Sequence, residues 1–195
     1  MAANTGILSP HVNFAERLIP SLEEMTRTVN HLKGLGYEVV LTSGSFDLIH
    51  LGHVKYLSRA KQFGDVLAVG VDSDAKIRRR KGDDRPMVPE GERLELLAYQ
   101  RPVDLIYLKD DNEGRWALIK AVMPDVLVLT ADHSYGDEDL AALGELCGRI
   151  EVVERQASVT TSERIRQMYM NLGEQLGPKL AEVLPGLIDS ILRRG

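Results

Sequence analysis

A chain of 195 residues, 44% hydrophobic and 27% charged, has the apolar mass for one sizeable core, which excludes wholesale disorder and disfavours a multidomain machine. Its 29 acids against 24 Lys plus Arg leave a net charge of −5, so no global positive field draws it to nucleic acid or anionic lipid, and an anionic ligand must be held by a local cluster. The single cysteine, Cys147, excludes an internal disulfide; no apolar run approaches the ~20 residues that cross a bilayer, and the start MAANTGILSP lacks a secretory pattern, so the expectation is a cytoplasmic protein with no membrane contact.

Residues 1–20 carry no periodicity and end in Pro20. Ser21 and Glu24 then form a Ser-x-x-Glu capping box that opens a helix burying Leu22, Met25, Val29 and Leu32 and ending at Gly34 and Gly36. Tyr37 to Thr42 reads as a strand with little alternation of polarity, and similar apolar runs follow at 66–71, 103–108, 126–130 and 150–153. Helix-length segments separate them, at about 52–63, 73–80, 90–100, 113–122 and 137–147, with another at 161–171. Continuous apolar strands alternating with helices predict a parallel sheet covered on both faces, hence a doubly wound, Rossmann-like α/β domain of five strands with an added N-terminal helix. Beyond it, Leu180, Val183, Leu184, Leu187, Ile188, Ile191 and Leu192 form a helical stripe, expected to bend near Pro185, that either packs on its own domain, the reading favoured here, or serves an oligomer contact.

Ligands of open parallel sheets bind beyond the carboxyl ends of the strands. The loop after the first strand reads Ser43-Gly44-Ser45-Phe46-Asp47-Leu48-Ile49-His50-Leu51-Gly52-His53, with a helix starting near Gly52. The unpaired N–H groups of a helix start make a phosphate site, two imidazoles three residues apart add donors, and Gly52 lets an anion approach the backbone. Neither Gly-x-Gly-x-x-Gly nor the Walker pattern is present. A zinc-dependent hydrolase built on His50, His53 and His133 is a competing reading that ranks well below, because a catalytic zinc needs three ligands of defined geometry.

These residues resemble the cytidylyltransferase-like branch of the nucleotidyltransferase superfamily, whose signature is His-x-Gly-His after the first strand. The resemblance runs from about 37 to 170 through Gly44 to His53, Val71-Asp-Ser-Asp74, Lys81-Gly-Asp-Asp-Arg-Pro86, Glu92-Arg93 and Thr161-Ser-Glu-Arg-Ile-Arg166. It implies an N-terminal extension and helix over 1–36, the nucleotidyltransferase domain over 37–170 and a helical tail over 171–195. It also implies transfer of a nucleoside monophosphate from a nucleoside triphosphate to a phosphorylated acceptor, with Mg²⁺ bound through the phosphates, pyrophosphate as product and no covalent enzyme intermediate.

By analogy His50, His53 and Lys55 are the catalytic residues. Ser43, Gly44, Ser45, Phe46, Gly52, Arg85, Asp132, Thr161, Ser162 and Arg166 bind the nucleotide, and Asp47, Asp72 and Lys81 face the acceptor. Asp47 is also a candidate for ordering its loop or placing Mg²⁺. Of the six cations Lys76, Arg78, Arg79, Arg80, Lys81 and Arg85, only Lys81 and Arg85 are assigned to phosphate, since most basic runs are solvated helix faces.

Within the family, Val-Asp-Ser-Asp followed by Lys-Gly-Asp-Asp-Arg-Pro looks most like the domain that activates a heptose 1-phosphate with ATP. A CTP-dependent glycerol 3-phosphate cytidylyltransferase competes, because Lys55 falls where the polyol enzymes carry a lysine. The loop Leu129-Thr-Ala-Asp-His133 departs from both, keeping Asp132 but losing the basic residue and glycine that precede it; His133 is the candidate to compensate. That departure keeps a non-catalytic nucleotide-binding regulatory subunit as a third reading. The resemblance further implies a homodimer.

Overall fold

The computed structural model describes residues 13–154 and 161–192, with side chains described over 13–154 and 166–185. In chain order the elements are α1 (Phe14–Arg17), α2 (Leu22–Gly34), β1 (Val39–Gly44), α3 (Leu51–Lys61), β2 (Val66–Asp72), α4 (Asp74–Lys81), α5 (Glu90–Ala98), β3 (Leu105–Lys109), α6 (Ala117–Val122), β4 (Val126–Thr130), α7 (Asp137–Gly144), β5 (Arg149–Val153) and α8 (Thr161–Leu192). The five strands form one all-parallel sheet in the order β3-β2-β1-β4-β5. The doubly wound, Rossmann-like expectation is therefore met.

Strand side chains alternate between two apolar layers, as the period of two requires. Val39 and Leu41 of β1 join Val66 and Ala68 of β2 on the face covered by Met25, Val29 and Leu32 of α2 and by Leu118, Ile119 and Val122 of α6. Val40, Leu67, Val69 and Val71 face the other way, onto Tyr56, Leu57 and Ala60 of α3 and Leu94, Leu97 and Ala98 of α5. Both faces being covered explains why the strands read as unbroken apolar runs. Gly70 of β2 is required by close packing: a Cβ there would meet Leu118 Cδ2 at 2.5 Å, Ser43 Oγ at 2.6 Å and Lys109 Cδ at 2.8 Å. Gly70→Ala is expected to cost about 1–3 kcal/mol by overpacking, read as a lowered urea midpoint; an unchanged midpoint would contradict this packing.

Ser21 caps α2 as expected, accepting the Glu24 N–H at 3.1 Å. The Glu24 carboxylate turns instead to Arg27.

Three stretches differ from the sequence expectation. Residues 14–17 are helical, too short a run to show periodicity, and Arg17 is buried with Nη1 donating to the carbonyls of Ala98, Gln100 and Val103. The helix expected over 113–122 begins only at Ala117, because Trp116 takes the left-handed conformation at φ 60°. The helices expected at 161–171 and beyond are one continuous helix, α8, with Pro178 and Pro185 inside it.

Contacts divide the chain into two compact units, Met1–Ser158 and Val159–Gly195, the second built on α8. Among the described residues no helix is long and apolar enough to cross a membrane.

Candidate active site

β1 lies between β2 and β4, so the sheet order reverses at its carboxyl end, which is where ligands of such sheets bind. There the chain leaves β1 at Ser43 and Gly44, loops through 45–50 and enters α3 with His50 as N-cap. Phe46 and Leu48 hold φ of 49° and 50°, a conformation that costs non-glycine residues free energy and persists only where the surroundings impose it. Phe46 is buried and its ring lies 5.6 Å from that of His53. A Cβ on Gly44 would sit 3.1 Å from the same ring.

Two buried charged residues pin this loop. Asp47 Oδ1 accepts the N–H groups of Met87 and Val88, each at 3.0 Å, and Oδ2 pairs with Arg85 at 2.8 Å. Burial by itself would raise its pKa, but the two N–H donors and the Arg85 guanidinium outweigh it and hold the carboxyl below the usual carboxylate range. Arg93 of α5 is fully buried and donates to Ser45 O at 2.5 Å, to Val88 O at 2.9 Å and to Asp74 Oδ1 at 2.8 Å. Asp74, in turn, donates its N–H to Glu90 at 2.7 Å. Arg93 thus fastens the loop to the starts of both α4 and α5. It had no assignment from sequence; its signal was a guanidinium on the same helical face as Leu94 and Leu97.

The two imidazoles cap α3 reciprocally. His50 Nδ1 accepts the Gly52 N–H at 3.0 Å, and His53 Nδ1 accepts the His50 N–H at 3.3 Å; the rings are 4.1 Å apart. An Nδ1 that accepts leaves the proton of a neutral imidazole on Nε2. Both residues are therefore set as Nε2–H donors at the positive end of a helix, an arrangement suited to phosphate oxygens. Burial, then the charges of His50 and Lys81, push His53 down to about 4.

Unfolded, His53 titrates near 6.5 and folded near 4, so between those values the unfolded chain binds more protons. Its contribution to stability is complete above pH 6.5 and is lost as the pH falls toward 4. An NMR titration of the free protein is expected to find His53 neutral at pH 5, and added nucleoside triphosphate to raise its pKa. A free-protein midpoint at 6.5 or above would contradict this environment.

Cations complete the loop. Lys81 Nζ and Arg80 Nη2 both donate to Ser45 Oγ, at 3.0 and 3.3 Å. Arg80 and Lys109 both pair with the buried Asp72, each at 3.0 Å. The other members of the basic run turn elsewhere: Lys76 to Asp110 O, Arg79 to Asp111, and Arg78 to the exposed face of α4. Lys109 and Arg80 had no assignment from sequence; strand pairing sets Lys109 opposite Asp72.

Lys55 is exposed and lies about 200° around α3 from His53, on the side of Leu51, so the helix does not bring it beside the imidazoles. Gly52 is buried in the first turn of α3. Asp132 is exposed after β4, close enough that its charge, added to burial, raises Tyr56 to about 12. His133 repeats the imidazole device, its Nδ1 accepting the Tyr135 N–H at 3.3 Å. Asp104 lies at the opposite end of the strands, where Leu67 N–H and Lys61 hold it. The side chains of Thr161 and Ser162 lie outside the described residues, and Arg166 is an exposed residue of α8, in the other unit.

The family model described as cytidylyltransferase-like matches residues 41–171. The chain is 40% identical over 151 residues to the bifunctional protein HldE of a Nitratiruptor species, covering 77% of this chain and 32% of that protein. It is 35% identical over 161 residues to the bifunctional protein HldE of Geobacter metallireducens, covering 80% and 32%. It therefore spans about a third of the length of these curated relatives. Among solved structures, the lipopolysaccharide core biosynthesis protein of Thermoplasma volcanium superposes with a TM-score of 0.52 at 30% identity, over 62% of this chain and 97% of that one. With the sheet order, the capped imidazole pair and the matched span in agreement, the chain belongs to the cytidylyltransferase-like family.

Proposed function

We propose that this chain is a sugar 1-phosphate adenylyltransferase that moves AMP from ATP to a heptose 1-phosphate and releases pyrophosphate. The observation that carries the reading is the His50–His53 pair, whose Nδ1 atoms accept backbone N–H groups at the start of α3 and so leave Nε2–H to face a ligand, beside a loop whose Ser45 hydroxyl takes Lys81 and Arg80 of α4. The names of the HldE relatives support the choice of sugar phosphate, as does the run from Val71 to Pro86.

In this reaction an oxygen of the acceptor phosphate attacks the α-phosphorus as the bond to the β-phosphate oxygen breaks, and pyrophosphate departs with the bonding electrons. Negative charge crowds the transition state, so fixed donors there are worth more than the same donors in water. His50 and His53 hydrogen-bond the triphosphate, and Lys81 adds charge from the Ser45 side. Thr161, Ser162 and Arg166 are assigned to the β- and γ-phosphates, and Lys55 to the charge of either substrate. The domain spans 37–170, flanked by the 1–36 extension and the 171–195 tail, and it works as a homodimer.

Asp47 and Asp72 are each held by cations, and among the described residues no group of three His, Cys, Asp or Glu side chains is placed to hold a metal. A Mg²⁺ ion suits this donor set when it arrives on the phosphate oxygens of the nucleotide. Bound there, it would supply positive charge to the leaving pyrophosphate.

The test is pyrophosphate release by the full chain with ATP or CTP, each offered heptose 1-phosphate or glycerol 3-phosphate. Turnover only with ATP and the sugar phosphate is expected. Turnover only with CTP and glycerol 3-phosphate would replace this reading by its competitor, which Lys55 favours. No release with any pair would favour a regulatory nucleotide-binding role.

A further inference from the structure

A second charged cluster sits at the carboxyl ends of β2 and β3, one and two strands from the imidazole pair. Asp72 closes β2 with a side chain only 3% exposed, and each oxygen meets a cation, Oδ1 taking Lys109 Nζ and Oδ2 taking Arg80 Nη2. Lys76, one turn before Arg80 on α4, stands on the same side and donates to Asp110 O at 3.3 Å. The neighbouring acids are engaged otherwise, Asp111 with Arg79 and Glu113 with the Tyr107 hydroxyl. Two cations thus contact one buried carboxylate, and Lys76, bonded to Asp110 O, is near enough for its charge to act on it. Burial, then the Lys109 charge, lowers the pKa of Lys76, with Asp72, Glu113 and Asp111 acting the other way, and burial, then the Arg80 and Arg85 charges, lowers that of Lys81.

Lys109 and Arg80 converge on one carboxylate and each carries more N–H donors than that carboxylate takes, which leaves donors for an incoming anion. Both clamp residues retain access to solvent, Lys109 at 21% and Arg80 at 54% side-chain exposure. Arg80 also donates to Ser45 Oγ beside Lys81, so the cluster abuts the loop assigned to the nucleotide. In-line transfer requires the attacking phosphate to lie alongside the α-phosphate, and this cluster borders the triphosphate position on the β2 side.

We infer that Lys109 and Arg80, held in place by the buried Asp72, form the clamp for the phosphate of the acceptor, with Asp72 as a positioning residue rather than an acceptor contact. The inference rests on the proposed nucleotidyl transfer and goes beyond it in naming what selects a phosphomonoester acceptor. Removing one charge-assisted hydrogen bond from such a clamp weakens binding about tenfold.

The test is calorimetric titration of inorganic phosphate, and separately of heptose 1-phosphate, into the full chain saturated with the α,β-methylene analogue of ATP and Mg²⁺. We expect Lys109→Met to weaken both probes about tenfold while the analogue binds within about twofold of wild type, and Lys109→Arg to restore most of the affinity. Asp72→Asn is expected to weaken phosphate as well, although it removes a negative charge, because Lys109 and Arg80 lose their anchor. Tighter phosphate binding in Asp72→Asn would overturn the positioning role. Unchanged phosphate binding in Lys109→Met, or an equal weakening of analogue and phosphate, would overturn the clamp. The proposed reaction fails separately, by absent pyrophosphate release in the wild type. If the analogue itself does not bind, the same comparison of wild type and Lys109→Met with phosphate alone decides the clamp.

Discussion

Replacing His53 by alanine is expected to lower the rate of pyrophosphate release about a hundredfold, ~3 kcal/mol in the barrier, while the fold survives. The rate effect follows from losing one of two fixed Nε2–H donors where charge develops. The stability effect is small because His53 is on the helix start rather than in the core, and what is lost there is an acceptor for the His50 N–H. Loss of such a cap costs about 0.5–2 kcal/mol, and circular dichroism should show a lowered Tm with an unchanged folded spectrum. Unchanged turnover in the variant would remove His53 from the mechanism. A variant that unfolds would instead assign the residue a structural role, and His53→Gln, which keeps a donor, then separates the two.

Arg93→Met is the substitution expected to cost most stability, about 3–5 kcal/mol, the range for removing one partner of a buried ion pair. Methionine fills the space but leaves Asp74 without its cation and Ser45 O and Val88 O without a donor. A urea denaturation curve measures the loss. Adding Asp74→Asn should recover part of it, because the second change removes the carboxylate that the first left unpaired. A double variant no more stable than Arg93→Met would show that the two carbonyls, not the ion pair, account for the effect. The loop from Ser45 to His50 is released in either case, so activity should fall even where the protein remains folded.

The difference between these two residues shows what could be read from the chain. His50, Gly52 and His53 stand together within one turn, so local spacing alone pointed to a helix start with two imidazoles. The five strands were legible for a similar reason, since burial on both faces turns each into an unbroken apolar run, and the strand expectations at 66–71 and 126–130 match β2 (Val66–Asp72) and β4 (Val126–Thr130) closely. Shorter or irregular pieces escaped: α1 is a single turn, and the left-handed Trp116 delays α6 without a glycine to announce it.

The sequence by itself determined the doubly wound class, the turn that sets His50, Gly52 and His53 at the start of α3, and the family, because each is carried by short local patterns taken in chain order. Only the tertiary structure decided that Arg93 reaches back 48 positions to Ser45 O, that Asp47 clips its loop to Met87 and Val88, and that Asp72 is held between Lys109 and Arg80. Those partners meet across neighbouring strands or between a helix and a loop, and sheet order and register bring them together. An isolated arginine or aspartate carries no periodicity that reveals whether it will be solvated or buried against a distant partner.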